Sequence, residues 1–324
     1  MKRSHLILAL VAFVLSLLVP VFVHTDYLLQ VLFRIYLFAA LGLAWNLVGG
    51  YAGQLSLGHA AYFGAGAYGL ALFTKAGLSP WLAVVLGVIV ALAFAALIGA
   101  VSFRLRGPYF VLSTIAFAEV LRLLAKNLVR LTGGDVGVQV PSLFAGAVHR
   151  WFYWAAVALA AVCFAITILV SRSRFGYYLM AIREDQDTAM AVGVNPAASK
   201  LKVLLISAAL TALAGALYGS LFLYVVPDQV LSLDVSNEIA IVAMLGGAGT
   251  LLGPLAGSAV LETASELFKN IFEEAHLLIY GVLLVVVVLF LPEGIVGTIG
   301  AILRRRKVLP PGLKSPAKEL PSNP

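Results

Sequence analysis

A chain of 324 residues that is 62% hydrophobic and only 11% charged, with a mean hydropathy of +1.01, has too few polar residues to coat a water-facing surface, which excludes an ordinary soluble domain. Its formal net charge of +7 is scattered between apolar tracts instead of forming one stripe, which argues against nucleic acid as a partner and for the lipid bilayer. At about 20 apolar residues per crossing, the sequence predicts an all-α polytopic membrane protein of about 8–10 transmembrane helices.

Lys2 and Arg3 precede the first apolar tract, Leu6–Val23. The pair also suits a cleaved signal peptide, but no Ala-x-Ala-like site follows Pro20, so the tract is expected to remain as a span. Further clear tracts are Leu28–Val48, Pro80–Val101, Tyr109–Leu124, Trp151–Val170, Val203–Val226 and Leu277–Leu291. Two more segments, Ala52–Thr74 and Glu238–Phe268, are as apolar but rich in glycine, which predicts short, broken or re-entrant helices sheltered by protein. Residues 1–303 thus read as one transmembrane domain, and 304–324 as a basic, Pro-rich tail. With the N-terminus inside and ten crossings as the upper count, Lys2, Arg3, Arg104, Arg106, Arg172, Arg174, Lys200 and Arg304–Lys307 all fall on the inner side, against Lys75, Lys126, Arg130, Arg150 and Lys269 outside. This positive-inside bias predicts that both termini are cytoplasmic.

Two polar patches interrupt the apolar tracts. In Ala44–Gly69, Asn46, Gln54, Ser56, His59 and Tyr62 stand among Gly50, Gly53, Gly58 and other glycines. Polar side chains are costly in hydrocarbon and normally face a bundle interior or a water-filled path. The glycines either let helices approach closely or unwind a helix to line a passage. Taken with the polar groups, they predict a translocation pathway. A second patch, Ala243–Gly257, echoes the first: Gly246, Gly247 and Gly249 follow the order of Gly49, Gly50 and Gly53 once a one-residue gap is allowed, as an internal repeat would leave behind. Glu119 and Arg122, three apart in one span, are expected to pair on a helix face.

Catalytic and metal-binding spacings are missing. The five histidines are scattered with no His-Glu-x-x-His pair, the lone Cys163 builds neither a disulfide nor a thiolate site, and no glycine-rich Walker loop precedes a lysine. The expectation is a transport subunit that is no enzyme, binds no metal or other cofactor, and takes any energy of ATP from a partner.

The longest inner loop, Ser171–Lys202, carries Arg183, Glu184, Asp185 and Asp187 beside apolar Ala189, Met190 and Val192. Ala181–Val192 has no Gly or Pro and predicts one short helix stopped by Gly193, with Arg183 and Asp187 one turn apart. Asn195 and Pro196 then supply an N-cap and a first-turn proline for the next span. A short helix with one charged and one apolar side suits either docking into a partner's groove or lying on the bilayer surface.

The spacing Asp187-Thr188-Ala189-x-x-x-Gly193 resembles the Glu-Ala-Ala-x-x-x-Gly loop of bacterial ABC importer permeases. Within that class, AIRED…AVGVN, LTALAGALYG (Leu210–Gly219), WNLVGGYAGQLSLGHAAYFGAGAY, RLRGPYFVLSTIAFAEVLR (Arg104–Arg122) and TGGDVG (Thr132–Gly137) together resemble the branched-chain amino acid permease family, from about Leu41 to Gly294. The chain departs from the general motif in having Asp-Thr-Ala for Glu-Ala-Ala and no proline at Val203–Ile206. The resemblance implies the longer permease of an inner-membrane importer, paired with a second, unlike permease. It further implies two cytoplasmic ATPases holding Mg-ATP and gripping residues 181–196, and a periplasmic binding protein that delivers the solute. The alternatives are the same class carrying urea, short amides or a sugar, and an ion-coupled secondary transporter using Glu119 and His59.

Overall fold

The computed structural model describes residues 25–103, 105, 107–144 and 149–271, together with 13, 15–20, 281 and 294–298. The predicted tracts Leu6–Val23 and Leu277–Leu291 lie largely, and the 304–324 tail wholly, outside the described residues. Helix α1 (Asp26–Asn46) runs straight into a π-helical turn (Leu47–Tyr51) and is followed by α2 (His59–Lys75), α3 (Pro80–Ser102), α4 (Pro108–Asn127) and a single turn, α5 (Val129–Thr132). Then come α6 (His149–Arg172), α7 (Arg174–Glu184), α8 (Gln186–Ala191), α9 (Pro196–Phe222), α10 (Pro227–Val230), α11 (Leu233–Gly247) and α12 (Gly253–Ile271). Two-residue strands β1 (Val138–Gln139) and β2 (Tyr224–Val225) pair antiparallel, Val138 opposite Val225.

Among the described residues, 6 helical segments are long and apolar enough to cross a membrane: 26–51, 80–102, 108–127, 149–172, 196–222 and 227–247. They match the predicted tracts. The glycine-rich segments behave as expected of broken helices. α2 has 17 residues and α11 has 15, so each rises only roughly 22–26 Å at 1.5 Å per residue, less than the ~30 Å hydrocarbon core. Both are walled in by protein: from His59 to Ala71 every residue of α2 is buried.

Small residues set how closely the helices meet. α3 buries Ala83, Gly87, Ala91 and Ala95, spaced every fourth residue, and turns Trp81, Val85, Ile89 and Leu97 outward. That split suits a helix packed on protein along one stripe and on lipid around the rest. α9 crosses α2 so tightly that a Cβ on Gly215 would sit 1.9 Å from the Phe63 carbonyl oxygen, and one on Gly66 the same distance from that of Ala212. Where α2 begins, its orphaned N-terminal amides need partners, and Ser236 of α11 accepts from the Ala60 N–H at 2.9 Å.

The inner loop corrects one expectation. Ala181–Val192 is not one helix: α7 ends at Glu184, Asp185 is extended (φ −155°, ψ 117°), and α8 starts afresh. The cause is the Asp185 side chain, which accepts the Thr188 N–H and caps α8. A helix stop needs no Gly or Pro when an aspartate offers the backbone this competing bond. The two later signals stand: Gly193 has φ +87°, and Asn195 caps α9 by accepting from Ala198 N–H at 3.1 Å, with Pro196 in its first turn.

Candidate functional site

The two glycine-rich patches come together. Asn46, at the last residue of α1, accepts the Gly249 N–H at 2.7 Å through Oδ1 and donates through Nδ2 to the Thr250 carbonyl at 2.8 Å. One amide side chain thus satisfies a donor and an acceptor that the break after α11 leaves open, in a site where Asn46 is fully buried. Gly50 makes this approach possible, since a Cβ there would lie 2.4 Å from the Gly249 nitrogen. The breaks also match in form. Gly53 and Gly249 both take left-handed φ, +66° and +79°, Gly58 precedes α2, and Gly253 opens α12. The alignment gap between the patches has a structural origin, because the first break carries the π turn.

Arg183, in the last turn of α7, reaches this junction. Its Nη1 donates to the Gly50 carbonyl at 2.6 Å, and its stem lies over Gly53, where a Cβ would meet Arg183 Cγ at 2.8 Å. A charge-assisted bond therefore joins the cytoplasm-predicted loop to the crossing of the two broken helices. The rest of the loop is arranged for contact. Glu184, Asp185, Asp187, Met190 and Gly193 are exposed, Val192 is 75% exposed, and Ala189 and Pro196 are buried against the bundle. Lys200 Nζ donates to Gln186 Oε1 at 2.6 Å and holds α8 against α9.

The remaining polar residues of the first patch are inside the subunit. Ser56, His59 and Tyr62 are fully buried, and Gln54 is half-buried at the break. His59 Nε2 and Ser207 Oγ are 2.9 Å apart, and Ser207 donates to the Ala44 carbonyl. Trp45 Nε1 donates to the Ser56 carbonyl at 2.7 Å and pins the loop. Ser56 Oγ, His59 Nδ1 and Tyr62 Oη are buried without a hydrogen-bond partner, so this stretch keeps unspent polar capacity along one line. Gly246 and Gly247 are buried on the facing helix, with the Gly246 position 1.7 Å short of room for a Cβ against Gly253.

Toward the opposite end, Glu119 and Arg122 pair as expected, Nε to Oε2 at 2.8 Å. Arg122 also reaches Asp228, and Lys126 bridges Asp228 (2.7 Å) and Asp135 (3.3 Å). The pair is thus part of a chain of compensated charges tying α4 to α10. Beside it lies a cavity of about 650 Å3 lined by Thr74, Lys75, Gln139 and Tyr224 among others. Among the described residues there is no cluster of three or more His, Cys, Asp or Glu that would hold a metal ion.

The sequence reading passed over one charged group. Arg34 of α1 pairs with Glu262 of α12 (Nε to Oε2, 3.2 Å) and lies near Glu238 of α11 (3.9 Å). The signal available was that three ionisable residues fall within apolar tracts, each needing a partner. Nothing in their spacing says that the partner is one of the others, about 200 residues away in sequence.

Comparison with known proteins agrees with this arrangement. The family described as branched-chain amino acid transport system / permease component matches residues 27–288. The chain is similar to LivM, the permease protein of the high-affinity branched-chain amino acid transport system of Salmonella typhimurium, at 30% identity over 288 residues, covering 80% of this chain and 67% of the relative. It is 28% identical to LivM of Escherichia coli over the same shares. Against LivH of Salmonella typhimurium, a shorter permease of that system, it is 27% identical over 80% of this chain and 91% of the relative. No solved structure matches.

Proposed function

The chain belongs to the permease-component family of branched-chain amino acid transport systems, and on that premise we propose that it is the longer, LivM-like permease of an ATP-driven importer in a bacterial inner membrane, with both termini cytoplasmic. Its cargo is a branched-chain amino acid handed over by a periplasmic binding protein. A second, unlike permease completes the pathway, and two cytoplasmic ATPases bind Mg-ATP and grip α7–α8.

The observation that carries this reading is the Arg183 to Gly50 bond at 2.6 Å. Interactions of a docking loop matter to transport only if the loop is mechanically joined to the element that opens. Here the loop holds the junction at which both glycine-rich breaks cross, so a shift of α8 by an ATPase pulls on the break after α1 and, through Asn46, on the break after α11. Such a junction is two-state by nature, because buried hydrogen bonds are either made or replaced. In the closed arrangement the break seals the cytoplasmic end. Release of Arg183 frees the backbone of Gly50–Gly53 and the unpartnered Ser56, His59 and Tyr62 groups to line a passage for a polar solute.

The test is purification of the tagged chain from its own host in mild detergent, with identification of co-purifying proteins and assay of ATP hydrolysis. ATPase subunits that co-purify, and that dissociate when Asp187, Met190 and Val192 are replaced by residues of opposite character, support the proposal. A chain that purifies alone and takes up solute in ATP-free vesicles under a proton gradient refutes it.

A further inference from the structure

Resting on the reading of this chain as an amino acid permease, we infer that Arg34, Glu238 and Glu262 form a subsite for the zwitterionic head group of the solute. The ammonium lies against the two carboxylates and the solute carboxylate against the guanidinium. The three side chains come from α1, α11 and α12, the helices that flank both breaks. Arg34 and Glu238 keep 28% and 29% of their side-chain surface exposed, while Glu262 keeps 3%.

Three features separate this group from a structural ion pair. Two carboxylates face one guanidinium, so the fully ionised group is short of one positive charge in a helix layer where uncompensated charge is very costly. Glu262 Oε1 is buried with no hydrogen-bond partner, which leaves an acceptor aimed at a donor that the subunit does not supply. And the exposed parts of Arg34 and Glu238 do not suit hydrocarbon, because intramembrane charges face a bundle interior or a water-filled cavity. A guanidinium offers five N–H donors in a fixed fork. With one directed at Glu262 and one at Glu238, the remainder match a second, arriving carboxylate. The missing charge is an ammonium's, and the spare donors are a carboxylate's; a free α-amino acid carries both. The neighbouring carboxylate Glu266 is already occupied by the Tyr27 hydroxyl at 2.6 Å, so it does not compete.

The complete importer, reconstituted in lipid vesicles with its binding protein, provides the test. In Glu238→Gln and Glu262→Gln, which keep side-chain volume, stimulation of ATP hydrolysis by the loaded binding protein is expected to persist, whereas L-leucine uptake falls at least about tenfold, equivalent to 1.4 kcal/mol. Undiminished uptake in both variants overturns the inference. Loss of stimulated hydrolysis in the unaltered complex would instead strike at the importer reading itself. A second measurement needs no substitution. An apolar carbodiimide modifies buried carboxyl groups, and mass spectrometry of peptides bearing Glu238 and Glu262 follows its rate in the unaltered complex. L-leucine is expected to slow modification several-fold and 4-methyl-2-oxopentanoate, which lacks the ammonium, is not. Equal protection by both compounds, or by neither, overturns the inference, as does assignment of the missing charge to an inorganic cation that protects as well as leucine.

Discussion

Replacing Asn46 by alanine removes both bonds that tie the two breaks together. The Gly249 N–H and Thr250 carbonyl would remain in a fully buried site without partners. Each unsatisfied group costs about 1–3 kcal/mol, so the pair costs about 2–6 kcal/mol. At about 2–4 °C per kcal/mol for a chain of this general size, the unfolding midpoint of the purified subunit falls by roughly 4–20 °C. Asn127→Ala is the control, because Asn127 only donates to the Leu123 carbonyl on an exposed helix end, and it should shift the midpoint by less than about 2 °C. The assay is thermal unfolding in detergent followed by size-exclusion recovery, with ATP hydrolysed per solute transported measured in parallel. If the two breaks act as one junction, Asn46→Ala also raises ATP consumption per solute. An unchanged midpoint together with unchanged coupling would refute the account of Asn46 as the clasp between the halves.

Further consequences can be checked separately. Arg183→Ala removes a charge-assisted bond worth about 1.5–3 kcal/mol; assembly with the ATPases should survive, whereas uptake per ATP should drop, and normal coupling would cut the proposed mechanical link. Gly193→Asp meets open space, with no atom within 4 Å of the new Cβ, so its folding cost is limited to the left-handed φ, about 1–2 kcal/mol; the complex is expected to assemble with uptake uncoupled from hydrolysis, and wild-type uptake would count against α8 as a docking element. Gly215→Val drives side-chain atoms into the Phe63 carbonyl, an overpacking of about 3 kcal/mol or more, and should abolish membrane accumulation of the protein; normal expression would mean that α2 and α9 are not packed as described. Glu119→Gln should leave uptake intact and insensitive to a protonophore when ATP is supplied, because Glu119 sits in a compensated network with Arg122; collapse of uptake would revive a proton-coupled mechanism.

Much of the architecture is readable one residue at a time. Apolar runs such as Pro80–Val101 fix a span because length alone decides it, and Asn195-Pro196 marks the start of α9 because both signals act within one turn. Gly53 and Gly249 are legible as breaks, since their left-handed φ suits few other residues. The split at Asp185 was missed although its capping bond is local, because aspartate in a helical pattern admits two readings that only geometry separates. What no local pattern gives is which distant groups meet. Asn46 finds residues 203 and 204 positions away, and Arg34 finds Glu262, with no spacing rule linking either pair. The residues of the candidate pathway were visible as polar anomalies, but their burial inside a single subunit follows from how α2 is enclosed.

The π turn at Leu47–Tyr51 has a consequence for insertions and deletions. A π turn closes its hydrogen bonds across five residues instead of four and so stores one residue beyond the α pitch. Deleting any single residue between 47 and 51 would let the chain rewind as ordinary α-helix, and everything beyond would turn by about 100° about the axis. Gly53 would then swing away from the Arg183 stem, and the Gly50 carbonyl away from its guanidinium, with every other residue still in its original order. The junction is therefore sensitive to helical phase as well as to composition. Natural variation here should exchange side chains far more freely than it changes the residue count.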